Sequence, residues 1–111
     1  MIYSVEVTVQ ARLDMKMIYE YIAFTLLEPI IAGKQFARIE TAVYSLDQMP
    51  ERFRRYDKEP WRSRNLRVMP VDNYIALYTV DNESSVVSVI RILYGRRNTE
   101  KELDDMAQED N

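Results

Sequence analysis

Near the C-terminus, Tyr94-Gly95-Arg96-Arg97 sets a phenol, a glycine and two guanidinium groups in consecutive positions, with Arg91 three residues earlier. A glycine flanked by arginines at a strand end lets backbone and guanidinium groups come close to a phosphate. Arg67 is a further cation, set in an alternating stretch. Leu66, Val68 and Pro70 fall on one strand face, and Arg67, Met69 and Val71 on the other. If this strand lies beside the one that ends at Tyr94, Arg67 joins the same cationic cluster. A third group, Lys58, Arg62 and Arg64, surrounds Trp61. Such cations can hold an RNA backbone while an indole stacks on a base. Each group also has a plainer reading: a solvated strand end with a core tyrosine, a surface arginine whose stem covers apolar area, and a loop pinned by a buried Trp61.

Composition narrows the chemistry. The 111 residues include no histidine and no cysteine. That removes the usual zinc ligands, disulfides, serine and cysteine triads and paired-histidine ribonuclease chemistry. Any catalysis must run on Tyr, Lys, Arg, Asp or Glu. The acids Glu6, Asp14, Glu20, Glu28 and Glu40 are spread over separate elements, without the spacing of a two-carboxylate or two-metal site. Gly33 and Gly95 are the only glycines, so no Gly-rich phosphate loop exists. No metal and no cofactor are expected.

The net charge of −3 conceals a lopsided layout. Over residues 52–67, Arg52, Arg54, Arg55, Lys58, Arg62, Arg64 and Arg67 outnumber Asp57 and Glu59. From residue 100 onward, six acids face Lys101 alone. A cationic middle suited to an anionic partner is followed by an acidic tail.

The elements that must position these residues follow from periodicity. Residues 2–9 alternate, with Tyr3, Val5, Val7 and Val9 on one face, which predicts a half-buried strand. Ala11, Met15, Ile18, Ile22 and Leu26 then recur at helical spacing, Pro29 opens a second helix, and Ala32, Phe36, Ile39, Val43 and Leu46 repeat the stripe. This predicts a helix hairpin over 10–46, burying Ile18, Ile22, Phe36, Ile39 and Val43. Residues 51–64 read as a charged loop. Strands follow at 66–71, 74–80 and 85–94, separated by Asp72-Asn73 and Asp81-Asn82-Glu83 turns. A short acidic helix is expected at 99–106. The whole is an α+β domain over 1–111 in the order β-α-α-β-β-β, an antiparallel sheet of about four strands covered by the hairpin on one face. The other face is left open and is the natural place for a site. Residues 104–111 are expected to fray as an acidic tail. The first residues carry no basic segment followed by an apolar run, and no run approaches a membrane span. A cytoplasmic location is expected.

These pieces in this order resemble the RelE/ParE superfamily of type II toxin–antitoxin toxins over roughly 3–103. The resemblance rests on Ala11, Asp14 and Ile18, Tyr21-Ile22, Leu46 with Pro50, Leu66-Arg67-Val68, Asn73-Tyr74 leading to Tyr78, and the run from Val89 through Tyr94-Gly95-Arg96-Arg97 to Asn98. It implies a cognate antitoxin as partner, expected to lay acidic residues against 52–67 or the open sheet face. It also implies one of two targets. RelE-like members cut messenger RNA in the ribosome, whereas ParE-like members poison DNA gyrase without chemistry of their own. A catalytically decayed member is a third alternative. The sequence departs from the nuclease pattern at Ile75, where arginine is common, and in lacking histidine.

The reading taken first is the ribosome-dependent endoribonuclease. Under it, Tyr94 is the base, its pKa lowered from near 10 by Arg91, Arg96 and Arg97. Arg67 and Arg97 hold the charged phosphorane, and Lys58, Arg62, Arg64, Arg91 and Arg96 hold the RNA backbone.

Overall fold

The computed structural model describes residues 2–109, except the side chains of Arg97 and Glu109. Strand β1 (Ser4–Val7) is followed by α1 (Val9–Glu20), which continues as a π-helical turn (Tyr21–Thr25), and then by α2 (Pro29–Tyr44). Two 3-10 turns (Ser45–Asp47 and Pro50–Arg52) lead to an irregular strap. Then come β2 (Leu66–Val71), β3 (Tyr74–Asp81), β4 (Val86–Tyr94) and α3 (Arg96–Glu109). Beta1 is shorter than its alternation suggests. The Thr8 hydroxyl accepts from the Ala11 amide at 3.1 Å and starts α1 there, leaving Val9 exposed on the helix.

The sheet order is β1-β4-β3-β2. Beta2–β3 and β3–β4 are antiparallel hairpins, as expected, but β1 joins β4 in parallel. The cause is the helix hairpin. Alpha1 leads away from β1, α2 returns the chain to Asp47, and the Asp47 carbonyl accepts from the Tyr3 amide beside the start of β1. Beta2 therefore sets out from the same end as β1, and two hairpin reversals later β4 runs the same way. This order also places β3 between β2 and β4.

The hairpin covers one sheet face. Ala11, Met15, Ile39, Val43 and Leu46 pack on Met69, Ala76, Tyr78, Val80, Val87, Val89 and Ile92, with Ile18 and Phe36 partly buried against them. The far end of the hairpin overhangs the sheet and holds its own small cluster of Ile22, Ala23 and Ala32.

The opposite face is not left open. Gly95, at φ 78°, takes a left-handed conformation that glycine adopts without penalty, and the chain turns there into α3. Leu103 of α3 is buried with Tyr56 and Trp61 of the strap against Leu66, Val68, Leu77 and Leu93. The expected frayed tail is corrected in the same way. Met106 and Ala107 pack on this second cluster, so residues 104–109 are helical, while Asp110 and Asn111 lie outside the described residues. The sheet thus has two cores, one on each face, and a register shift between β3 and β4 at Leu77/Tyr78 lets Val87, Val89 and Ile92 share the hairpin face.

Candidate functional site

Of the expected catalytic residues, Arg67 and Tyr94 are not brought together. Arg67 shares strand parity with Met69 and Val71 and pairs with Tyr78, so it lies on the hairpin face. The residue is 9% exposed, and each of its three guanidinium nitrogens is engaged. It donates to the Glu51 and Phe53 carbonyls at 3.0 and 2.8 Å, to Asn65 Oδ1 at 3.2 Å and to the Glu51 carboxylate at 3.0 Å. Glu51 also accepts from Asn65 and Asn82. Those two amides, helped by Arg67, hold the Glu51 carboxyl below its usual range. Arg67 clamps the 51–53 turn to the sheet.

Tyr94 is also on the hairpin face, at the opposite end. It pairs with Tyr74 and meets that ring edge-on at 5.5 Å. Tyr78 and Tyr74 are four residues apart on β3, about 13 Å at roughly 3.3 Å per residue, and Arg67 and Tyr94 flank β3 on opposite sides. Tyr94 is 59% exposed and lines an apolar hollow of about 610 Å³ beneath the overhanging hairpin tip, with Met17, Tyr21, Leu26 and Ile31. Among the described residues, no arginine lines this hollow. The neighbouring Tyr74 phenol is pushed up by burial first, then by Tyr94 and Tyr21.

Arg91 is committed elsewhere. It donates to both Asp14 carboxylate oxygens at 2.8 and 3.1 Å and to Glu102 at 3.2 Å. Asp14 also accepts the Ile92 amide. The hydrogen bond to Asp14 is the main cause that raises the Arg91 pKa further. This triad ties α1, β4 and α3 together. Trp61 is buried and donates to the Leu103 carbonyl at 3.1 Å, so it is not free to stack on a base. Arg64 lies over its ring at 5.1 Å, and Arg62 is exposed in the turn beside it. Arg96 is paired with Glu100 at 3.5 Å. The side chain of Arg97 lies outside the described residues.

What remains of the helix-poor face is a groove between the strap and α3. Val68, Pro70 and Ile75 line it, Ile75 standing on its floor. Arg52, Arg54, Lys58 and Arg96 stand around it with the acids Asp57 and Glu100, and Tyr56 lines the part nearest α3. Tyr56 is not among the sequence candidates, and Arg54 enters there only as part of the cationic 52–67 stretch. The available signal was an aromatic residue set among cations, Arg54-Arg55-Tyr56-Asp57-Lys58. Burial first, then Asp104 and Glu100, push the Tyr56 phenol up.

The fold is shared with toxin–antitoxin proteins of known structure. A chain of the chromosomal ParDE toxin–antitoxin system from P. aeruginosa matches with a TM-score of 0.71 and 21% identity, over 86% of this chain and 98% of that one. The RelBE2 toxin–antitoxin complex from Mycobacterium tuberculosis gives 0.59 and 24%, over 85% and 99%. The archaeal RelE–RelB complex from Pyrococcus horikoshii OT3 gives 0.56 and 14%, over 85% and 96%. At these identities the likeness establishes the fold. No curated protein is a significant match. Residues 5–99 match the family model described as the ParE toxin of the type II toxin–antitoxin system, parDE, and the chain belongs to that family.

Proposed function

We propose that this ParE-family toxin acts by binding DNA gyrase and has no nuclease chemistry of its own, a cognate antitoxin holding it in check. The observation that carries this reading is the dispersal of three described candidate site residues: Arg67 and Tyr94 of the expected catalytic set, and Arg91 of the expected phosphate-binding set. Arg67 is spent on the 51–53 turn, Arg91 on Asp14 and Glu102, and Tyr94 faces an apolar hollow on the other side of β3 from Arg67. A phosphorane-stabilising site needs its donors preorganised around one point, and these three groups do not converge. A binding role is further supported by the exposed Met17, Tyr21, Phe24, Leu26, Leu27 and Ile30 of the hairpin end, a patch of the kind that partner surfaces use.

Ribosome-dependent RNA cleavage is the second reading. It is favoured by Arg54 and Lys58, which line the groove with no ion pair to any described residue. Both targets imply work in the cytoplasm. Controlled expression in bacteria separates the two. The gyrase reading expects DNA damage and filamentous cells while translation continues. Prompt loss of translation, with messenger RNA cut at ribosomal positions, would overturn it.

A further inference from the structure

Alpha1 is apolar on two sides. Ala11, Met15 and Ile18 pack inward on the sheet side. Facing away from them, Val9, Leu13, Met17, Tyr21 and Phe24 follow one another at steps of four or three along α1 and its π-helical continuation. Each of the five is between 46% and 76% exposed. A helix with apolar residues all round is ordinarily covered all round, and the sheet covers this one on a single side. The outer stripe runs for about 22 Å at 1.5 Å per residue. Its flank is sorted by charge. Arg12 and Lys16 lie along the first half and Glu20 along the second, all three exposed, while Asp14 is turned inward to Arg91. Among the described residues, none of Arg12, Lys16 and Glu20 has an ion pair.

We propose that this stripe pairs with the same stripe of a second copy, the two helices running antiparallel about a two-fold axis at Met17. In that register Met17 meets Met17, Leu13 meets Tyr21, and Val9 meets the Phe24 end. Glu20 of each copy falls between Arg12 and Lys16 of the other, on the same flank. A parallel pairing would set Lys16 against Lys16 and Glu20 against Glu20. The charge pattern therefore selects the antiparallel pair, and a two-fold interface requires this self-complementarity. A foreign partner gives no reason for the two ends of the stripe to match each other, whereas a second copy does. The five side chains expose about 600 Å² per copy, so a pair removes about 1,200 Å², the lower end for a specific interface. Association at that size, after the cost of lost freedom, is micromolar. The proposal does not rest on the gyrase reading. Both use Met17, Tyr21 and Phe24, so a target that takes this surface competes with the second copy.

The test is sedimentation equilibrium of the purified full chain, from low micromolar to near-millimolar concentration, with no antitoxin or target present. A monomer–dimer equilibrium in the micromolar range is expected. Leu13→Glu should abolish the dimer. Leu13 is exposed and lies outside the hairpin end, so the variant should stay folded, which circular dichroism checks. Lys16→Glu and Glu20→Lys should each weaken the dimer about tenfold, because every reversal acts at two symmetry-related places. Lys16→Glu combined with Glu20→Lys exchanges the signs and should recover most of the lost affinity. A chain that is monomeric over the whole range overturns the proposal, and protection of Leu13 and Met17 by antitoxin or gyrase would then assign the stripe to that partner. A dimer indifferent to Leu13→Glu, or a double variant no tighter than the single ones, overturns it as well. Because no target is present, the result stands apart from what the toxin inhibits.

Discussion

Arg67 illustrates how a single side chain can invite one role and fill another. Its alternation with Leu66 and Val68 is readable from the sequence, and it does place the guanidinium on the opposite face from them. The sequence does not say which face the helices will cover, nor that Glu51, Phe53 and Asn65 will arrive to accept its protons. Those contacts are long-range. Arg67→Ala should leave two carbonyls and a carboxylate without their donor and cost about 2–4 kcal/mol. Chemical denaturation checks this, and toxicity should then fall only as far as the folded fraction does. A stable Arg67→Ala that has lost all toxicity would restore the side chain to a functional site.

Glu51 makes a companion prediction with a pH signature. Its carboxyl is held below the usual 4.5 by Asn65 and Asn82 first, so its contribution to stability is present above that value. It is lost as the pH falls through the depressed folded value. Glu51→Gln should therefore be less stable than the parent at pH 7, and the gap should close toward pH 3. The carboxylate is substantially exposed, so the effect at neutral pH should be modest. Urea titrations at the two pH values measure it. A gap that widens in acid would show that the carboxylate is not stabilised in the fold.

At the scale of elements, the helix hairpin and the three later strands were legible because their apolar spacing is local. Leu66–Val71 emerges with its expected bounds, and Pro29 does open α2. Strand order was not legible. It depends on where α2 returns the chain, which only the finished packing decides, so Arg67 and the end of β4 were brought together on paper while β3 lies between them. The acidic C-terminal segment misled for a related reason. Its polar residues are many, but Leu103 and Met106 share one face with Thr99, and that stripe is enough to seat α3 on the second sheet face. Leu103→Ala should cost about 3 kcal/mol, in the range for a buried leucine, and loosen α3 from Trp61. Trp61 is the only tryptophan, so a red shift of its emission in the variant reports the event directly. Unchanged emission and stability would mean that α3 does not hold this face together.

For the whole molecule, the separation of charge outlasts the correction of individual sites. The 52–67 stretch remains cationic and α3 acidic, and Arg54, Lys58 and Arg62 are exposed. An antitoxin with an acidic segment on this strap should associate faster at low salt, with the on-rate falling steeply as ionic strength rises. An on-rate indifferent to salt would move the antitoxin to the apolar hairpin surface.

The central claim is that the toxin binds its target and performs no RNA chemistry. It is tested most directly by adding the purified protein, in parallel, to a DNA gyrase supercoiling reaction and to ribosomes carrying messenger RNA. The account predicts inhibition of supercoiling and intact messenger RNA, with Tyr94→Phe retaining most of the inhibition because the phenol has no proton to move. Cleavage of ribosome-bound messenger RNA that disappears in Tyr94→Phe, with gyrase unaffected at the same concentration, would contradict it.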